Sequence, residues 1–195
     1  MRFGKVLFIL ALTTGLAACG GGGGTAATGA GTSTTITGSA GDGPVQNGNV
    51  SVLDANGIAV ITTPTNPTTG LTAQFSFTVP SGTALPLTIT VSGGTDTVTN
   101  APQDFPLRTA VTSLPTDGTP VTGNANPLST LAVASAEAQA GGITTASLTT
   151  ATNNVLGAMG FGLAAGVNPL STPVDNLNAK SIVRANEAAA ELIRR

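Results

Sequence analysis

The sequence predicts a mainly β fold with an α-helical end: a small antiparallel β-sandwich, then about three helices, with a disordered tether in front. Three observations predict it. Apolar and polar residues alternate between Thr34 and about Ser113, with turn residues at roughly ten-residue spacing. Beyond Pro115, alanine and leucine recur at helical intervals. Ahead of both, Gly20 to Ser33 lacks charge, aromatic residues and any apolar period, so it reads as a flexible spacer reaching roughly 20 Å. The organisation that follows is a leader (residues 1–18), a tether (19–33), the sandwich (34–113), a linker (114–125) and a helical region (126–195).

Each strand rests on a period of two. Val50 and Val52 alternate with polar neighbours in GNVSVLDA, as do Ala73, Phe75, Phe77 and Val79 in TAQFSFTV and Leu87, Ile89 and Val91 in PLTITVS. Threonine suits the exposed face of such strands. Turn residues separate them: Asp42-Gly43-Pro44, Asn47-Gly48, Asp54 to Gly57, Pro64 to Gly70, Pro80-Ser81-Gly82 and Gly93-Gly94.

The helices rest on a spacing of three and four. Leu128, Leu131, Ala134 and Ala138 mark one face, with Val133 off the stripe; Leu148, Ala151, Thr152, Val155 and Met159 mark a second. Ile182, Ala185, Ala189 and Leu192 mark a third, opposite Lys180, Arg184, Glu187, Glu191 and Arg195. Arg184–Glu187 and Glu191–Arg195 are spaced for weak ion pairs, and Arg194-Arg195 suit a helix C-terminal dipole. NPLST occurs twice, at 126–130 and 168–172. Asn-Pro predicts an N-cap with proline at the first helical position in the first copy. In the second, Pro173 interrupts at once and predicts a turn or very short helix.

Composition excludes several classes. The 195 residues carry seven basic and nine acidic side chains and no His, Trp or Tyr. Nucleic-acid binding needs a dense Lys/Arg footprint that is lacking. One cysteine excludes an intrachain disulfide framework and a multi-Cys zinc site.

The leader has a positive start (Arg2, Lys5) and an uncharged, largely apolar run of 13 residues from Val6 to Ala18. That suits secretion and falls short of the about 20 residues of a membrane span. It ends in Leu16-Ala17-Ala18-Cys19, which resembles the lipobox of bacterial lipoproteins: an aliphatic residue, two small residues, then cysteine. The resemblance implies cleavage between Ala18 and Cys19 and a diacylglyceryl thioether on the Cys19 sulfur. With Gly20 rather than aspartate next, it further implies sorting to the outer membrane, facing the periplasm or the cell surface. The alternative is an ordinary leader ending at Ala18, with Cys19 a stray thiol. Cleavage would remove Arg2 and Lys5, leaving five basic against nine acidic groups. Such a chain is mildly acidic and does not seek anionic head groups, so the acyl chains would carry the attachment.

Ile36 to Gly57 (ITGSAGDGPVQNGNVSVLDANG), followed by FSFTVPSGTALPLTITVSG, resembles the carboxypeptidase regulatory-like domain. The likeness lies in Asp-Gly-Pro-Val, a Val-x-Val strand, Asp-x-Asn-Gly and a phenylalanine strand ending near Pro-x-Gly. It implies a small transthyretin-like sandwich and a non-catalytic accessory role. Gln74 stands where many members carry Gly-x-Tyr before the phenylalanine strand.

The residues offer little catalytic chemistry. Without histidine no Ser-His-Asp or Cys-His site forms, and the Lys180-Ser181 neighbours project from different helix faces. A two-carboxylate site would have to come from Asp42, Asp54, Asp96, Asp104 or Asp117, each in a Gly- or Pro-rich turn where aspartate is ordinary. Asp54 and Asn56 echo the start of a calcium loop but lack its distal glutamate. No aromatic platform for a sugar is evident, since Phe75 and Phe77 alternate inward. No catalytic residue, resident metal or cofactor is therefore expected.

The expectation is a membrane-anchored envelope lipoprotein, held through Cys19, with a surface, adhesion or scaffolding role and an unspecified protein or glycan partner. A ligand-binding lipoprotein for sugar or peptide is the first rival. An envelope hydrolase is the second, disfavoured by the missing His and Tyr.

Overall fold

The computed structural model describes residues 32–41, 43–160, 162–172 and 179–195. The leader, the Ala18-Cys19 junction, the spacer through residue 31 and Asp42 lie outside them. The described strands are β1 (Thr34–Ser39), β2 (Val45–Gln46), β3 (Asn49–Leu53), β4 (Gln74–Val79), β5 (Leu87–Ser92), β6 (Thr95–Asp96), β7 (Leu107–Val111) and β8 (Val121–Thr122). The helices α1 (Pro127–Glu137), α2 (Thr145–Met159) and α3 (Ala179–Arg194) follow. The chain is thus β followed by α, as the patterning predicts.

Two three-stranded sheets, ordered β4-β1-β8 and β3-β5-β7, face each other beside a β2-β6 ribbon. Pairing is antiparallel, with Ile36 opposite Phe77, Val52 opposite Ile89 and Ile89 opposite Thr109. The exception is β8, which runs parallel to β1, Ile36 opposite Val121. It lies in the segment expected to be a linker, because two residues are too few for alternation to register.

The alternation works because one parity of each strand meets the other sheet. Ile36, Phe75, Phe77 and Val79 from one sheet join Val50, Val52, Leu87, Ile89, Val91, Leu107 and Val111 from the other in one buried cluster. Each such side chain contributes on the order of 1.5–3 kcal/mol of burial. Phe75 and Phe77 stack with ring centroids 5.9 Å apart. Gly38 opposes Phe75 on β1, where an added Cβ would stand 2.1 Å from the Gly123 carbonyl oxygen and 2.5 Å from the Phe75 ring. No side chain fits there. Ala73, expected within the strand, is buried but adopts a left-handed φ of 58° just before β4 begins.

Residues 58–69 close one side of the sandwich. Val60 N–H donates to the Val52 carbonyl and Val50 N–H to that of Pro67, both at 2.9 Å, while Thr63 and Thr78 exchange backbone hydrogen bonds. The outer edge of β3 and the Thr78 end of β4 are therefore covered.

On the other side the sandwich meets the helices. Asn126 caps α1: its side chain accepts from Ser129 N–H at 2.8 Å, Ser129 Oγ accepts from Asn126 N–H at 2.8 Å, and Pro127 opens the helix. The face of α1 differs from the expected stripe. Ala134 and Ala138 are exposed, whereas Ala132, Val133 and Ala136 are buried with Leu128. The cause is that α1 packs against β7, α2 and α3 at once, so an alanine-rich helix buries more than one stripe. Thr144 caps α2, whose Leu148, Ala151 and Thr152 are buried as predicted.

On α3, Ile182, Ala185 and Ala189 are buried and Lys180, Arg184, Glu187, Glu191 and Arg195 are exposed, but Leu192 is 54% exposed and Ala190 is buried instead. Arg195 pairs with Glu191 at 3.0 Å; among the described residues Arg184 and Glu187 form no ion pair. Arg194, in the last turn of α3, pairs with Asp104 at 2.7 Å and lies 5.4 Å from the centre of the Phe105 ring. Ala110 of β7 shares a buried cluster with Ala132, Val133 and Ala136 of α1 and Leu148 and Ala151 of α2. Residues Gly31 to Arg195 thereby form one compact unit.

Candidate functional site

The two NPLST copies meet beside β7 and β8. In the first, the motif starts a helix. In the second it closes a turn: Asn168 Oδ1 accepts from Leu170 N–H at 3.0 Å, and Thr172 Oγ1 accepts from Asn168 N–H at 2.9 Å. Asn126 Nδ2 donates across to the Pro169 carbonyl at 2.7 Å. Asn124 ties the same turn to the sandwich, its N–H donating to Leu170 O at 2.7 Å, its Nδ2 to Thr172 O, and its Oδ1 accepting from Ser39. Asn124 and Asn126 are both buried, so these bonds are shielded from water and hold the turn in place.

That placement leaves a groove of about 470 Å³ between the ends of β7 and β8 on one side, and α2 and the second NPLST turn on the other. Ala110 to Ser113 and Val121-Thr122 supply one wall; Thr145, Thr149, Thr152, Asn153 and two leucines of α2 supply the other. Residues 166–168 with Leu170 and Ser171 close the end. A second hollow, of about 420 Å³, continues from it past Leu156 and Gly166 along the glycine- and alanine-rich segment after α2.

Both strand edges aim backbone groups into the groove. Arg108 N–H donates outward to Thr130 Oγ1 at 2.8 Å, and its carbonyl accepts from Ser129 Oγ at 2.6 Å. In an antiparallel ladder alternate residues face the same way, so the Ala110 amide also points away from β5. On β8, Gly123 N–H donates to β1 at Thr37 and Asn124 N–H points away to Leu170. Thr122, sharing the parity of Asn124, therefore faces the groove. Neither the Ala110 nor the Thr122 amide has a hydrogen-bond partner among the described residues.

Among the described residues the groove lining carries no ionisable side chain. A sequence signal for it exists: the 37 residues from Ala138 to Val174 contain no charge, although many are exposed. Hydrophobic periodicity does not detect this, because Thr, Asn, Gly and Ala register as neither apolar stripe nor charged face. The nearby ion pair, Arg108 with Glu137 at 2.7 and 2.5 Å, lies outside the lining.

The carboxylates considered for chemistry serve their own turns. Asp54 Oδ1 accepts from the N–H groups of Asn56 and Ile58 at 2.8 and 2.9 Å, and Asn56 Nδ2 donates to Asp54 Oδ2 at 3.3 Å. The Ile58 amide above all holds the exposed Asp54 carboxyl below its usual range. These bonds close the turn from within. Asp96 accepts from Val98 and Thr99 N–H, and Asp117 from Thr119, whose hydroxyl and amide lower its pKa. Asp104 holds Arg194. Asp42 and Cys19 lie outside the described residues. Among the described residues no group of three or more His, Cys, Asp or Glu side chains is placed to hold a metal ion, and no helix is long and apolar enough to cross a membrane.

No family model matches the chain, and no curated protein and no solved structure matches it.

Proposed function

We propose that the protein is a lipid-anchored component of a bacterial envelope, held at the outer membrane through Cys19, whose role is non-catalytic display, adhesion or scaffolding. The observation that carries this reading is Leu16-Ala17-Ala18-Cys19 at the end of a short apolar leader, with the chain's one cysteine at the position that takes lipid. Fourteen residues, glycine-rich at their start, separate Cys19 from the first strand at Thr34. That length lets an anchored chain stand off a bilayer by roughly 20 Å. Two or three acyl chains would retain it, at roughly 0.8 kcal/mol per buried CH₂. The resemblance of residues 36 to 57 to a carboxypeptidase regulatory-like domain supports an accessory role, as do aspartates occupied in turns and an ion pair.

The test is metabolic labelling with radioactive palmitate followed by envelope fractionation. The native chain should carry label and sediment with envelopes, and Cys19→Ser should lose both. A Cys19→Ser chain that still sediments fully would sink the reading.

The groove favours a second reading, a ligand-binding lipoprotein for a peptide or sugar. It offers about 470 Å³ lined by hydroxyls, the side-chain amides of Asn153 and Asn168, and two backbone amides without a partner among the described residues.

A further inference from the structure

We propose that the groove between the β7 and β8 ends and α2 takes a short, uncharged, extended segment of another polypeptide, which adds as a strand along the β7 edge. The proposal rests on the ligand-binding reading and is independent of the lipid on Cys19.

Two observations converge on this ligand. The first is the backbone. Ala110 is 6% exposed, yet its outward amide has no partner among the described residues, and a buried unpaired peptide group is costly. The Thr122 amide opposes it from the other sheet. Elsewhere residues 58–69 cover β3 and the Thr78 end of β4, and the start of α1 covers β7 at Arg108. The uncovered part of β7 therefore begins at Ala110 and leads to Thr112, which also lines the groove. At roughly 3.3 Å per residue, about three or four residues of an added strand fit it.

The second observation is chemical. Charged residues are depleted at the centres of protein interfaces, and this wall belongs to a 37-residue run without charge. A charged side chain entering it would be desolvated with no counter-ion in the lining. The hydroxyls of Thr149 and Thr152 already donate to their own helix, to Thr145 O and Leu148 O at 2.7 Å each, and so offer only acceptor capacity to a guest. A peptide supplies the N–H groups that these hydroxyls accept and the carbonyl that an unpaired amide needs. Among the described residues the lining holds no aromatic ring on which a sugar face would stack.

The test selects a phage-displayed library of random linear heptapeptides on the full chain and counter-selects on the Thr149→Arg/Asn153→Arg variant. Both residues are exposed on α2, and an unchanged thermal midpoint verifies that the variant folds. The expected outcome is a set of uncharged heptapeptides whose affinity falls at least tenfold on the variant and is lost when alternate peptide amides are N-methylated. The same heptapeptides should slow hydrogen exchange at Ala110 and Thr122 at least tenfold. The proposal is overturned if no heptapeptide distinguishes the two targets, or if the N-methylated forms bind equally well. Chitotriose provides the saccharide arm. If it shifts the Ala110 and Thr122 amide resonances and no heptapeptide does, the ligand-binding reading survives and this inference falls. If neither probe does, both fall.

Discussion

Thr109 sits on β7 with its side chain in the core, fully buried, its methyl facing the same space under Gly123 as Ile89 and Val111. Its Oγ1 has no hydrogen-bond partner among the described residues. A hydroxyl in that position loses its bonds to water and gains none in return, at a cost on the order of 1–3 kcal/mol. Valine has nearly the same shape and no such group. Thr109→Val should therefore stabilise the protein by about 1 kcal/mol, read as a higher urea midpoint with an unchanged m-value. A lower midpoint would mean that the hydroxyl is satisfied in solution. The same residue explains why β7 is hard to see in the sequence. In LRTAV the inward positions are Leu107, Thr109 and Val111, and the polar one breaks the alternation that marks β4 and β5 plainly. Asn124 and the bond from Asn126 to Pro169 were hidden for a related reason, since nothing in a local window shows that an asparagine is buried or bonded 43 residues away.

At the scale of elements, the join between β7 and α1 carries its own charge pair. The Arg108 guanidinium forks onto the Glu137 carboxylate near the end of α1, holding that carboxyl below its ordinary value of 4.5, while Glu137 raises the Arg108 pKa further. Because the folded carboxyl is the stronger acid, its contribution is present above the unfolded pKa and is lost as pH falls through the depressed folded value. The Glu137 side chain is 41% exposed, so water screens the pair and its worth is under about 1 kcal/mol. Glu137→Gln should lower stability slightly at pH 7, and the gap from the native protein should close as pH drops below 4.5, measured by urea titrations at each pH. A gap that stays constant to acid would assign the loss to packing instead. The sequence could not offer this pair, since a spacing of 29 residues has no local signature. It did offer the start of α1: Asn-Pro at 126–127 is legible because capping is local chemistry. The face of α1 was not legible, because alanine on three packed sides leaves no stripe.

At the scale of the whole molecule, the sandwich and the helices unfold together or separately according to how much core they share. Sequence patterning divides them at the segment 114–125, where composition shifts. The packing couples them there. That segment carries β8, which completes the sheet beside β1, and leads through Asn124 and Asn126 into α1. Ala110 is buried against α1 and α2, and Arg194 at the far end of α3 returns to Asp104 just ahead of β7. Removing everything after Ser113 would strip β1 of its parallel neighbour and expose the helix-facing side of β7. It would also free both backbone groups of Arg108 from Thr130 and Ser129. A remaining sandwich of fewer than 90 residues has little stability to spare. The full chain should accordingly unfold in one calorimetric transition, with van't Hoff and calorimetric enthalpies in agreement. A chain ending at Ser113 should show neither a cooperative urea transition nor dispersed amide resonances. If that shortened chain folds, and the full one melts in two steps, then β7 and the helices are merely adjacent, and the groove between the β7 and β8 ends and α2 is a seam between independent bodies with no fixed geometry for a guest to read.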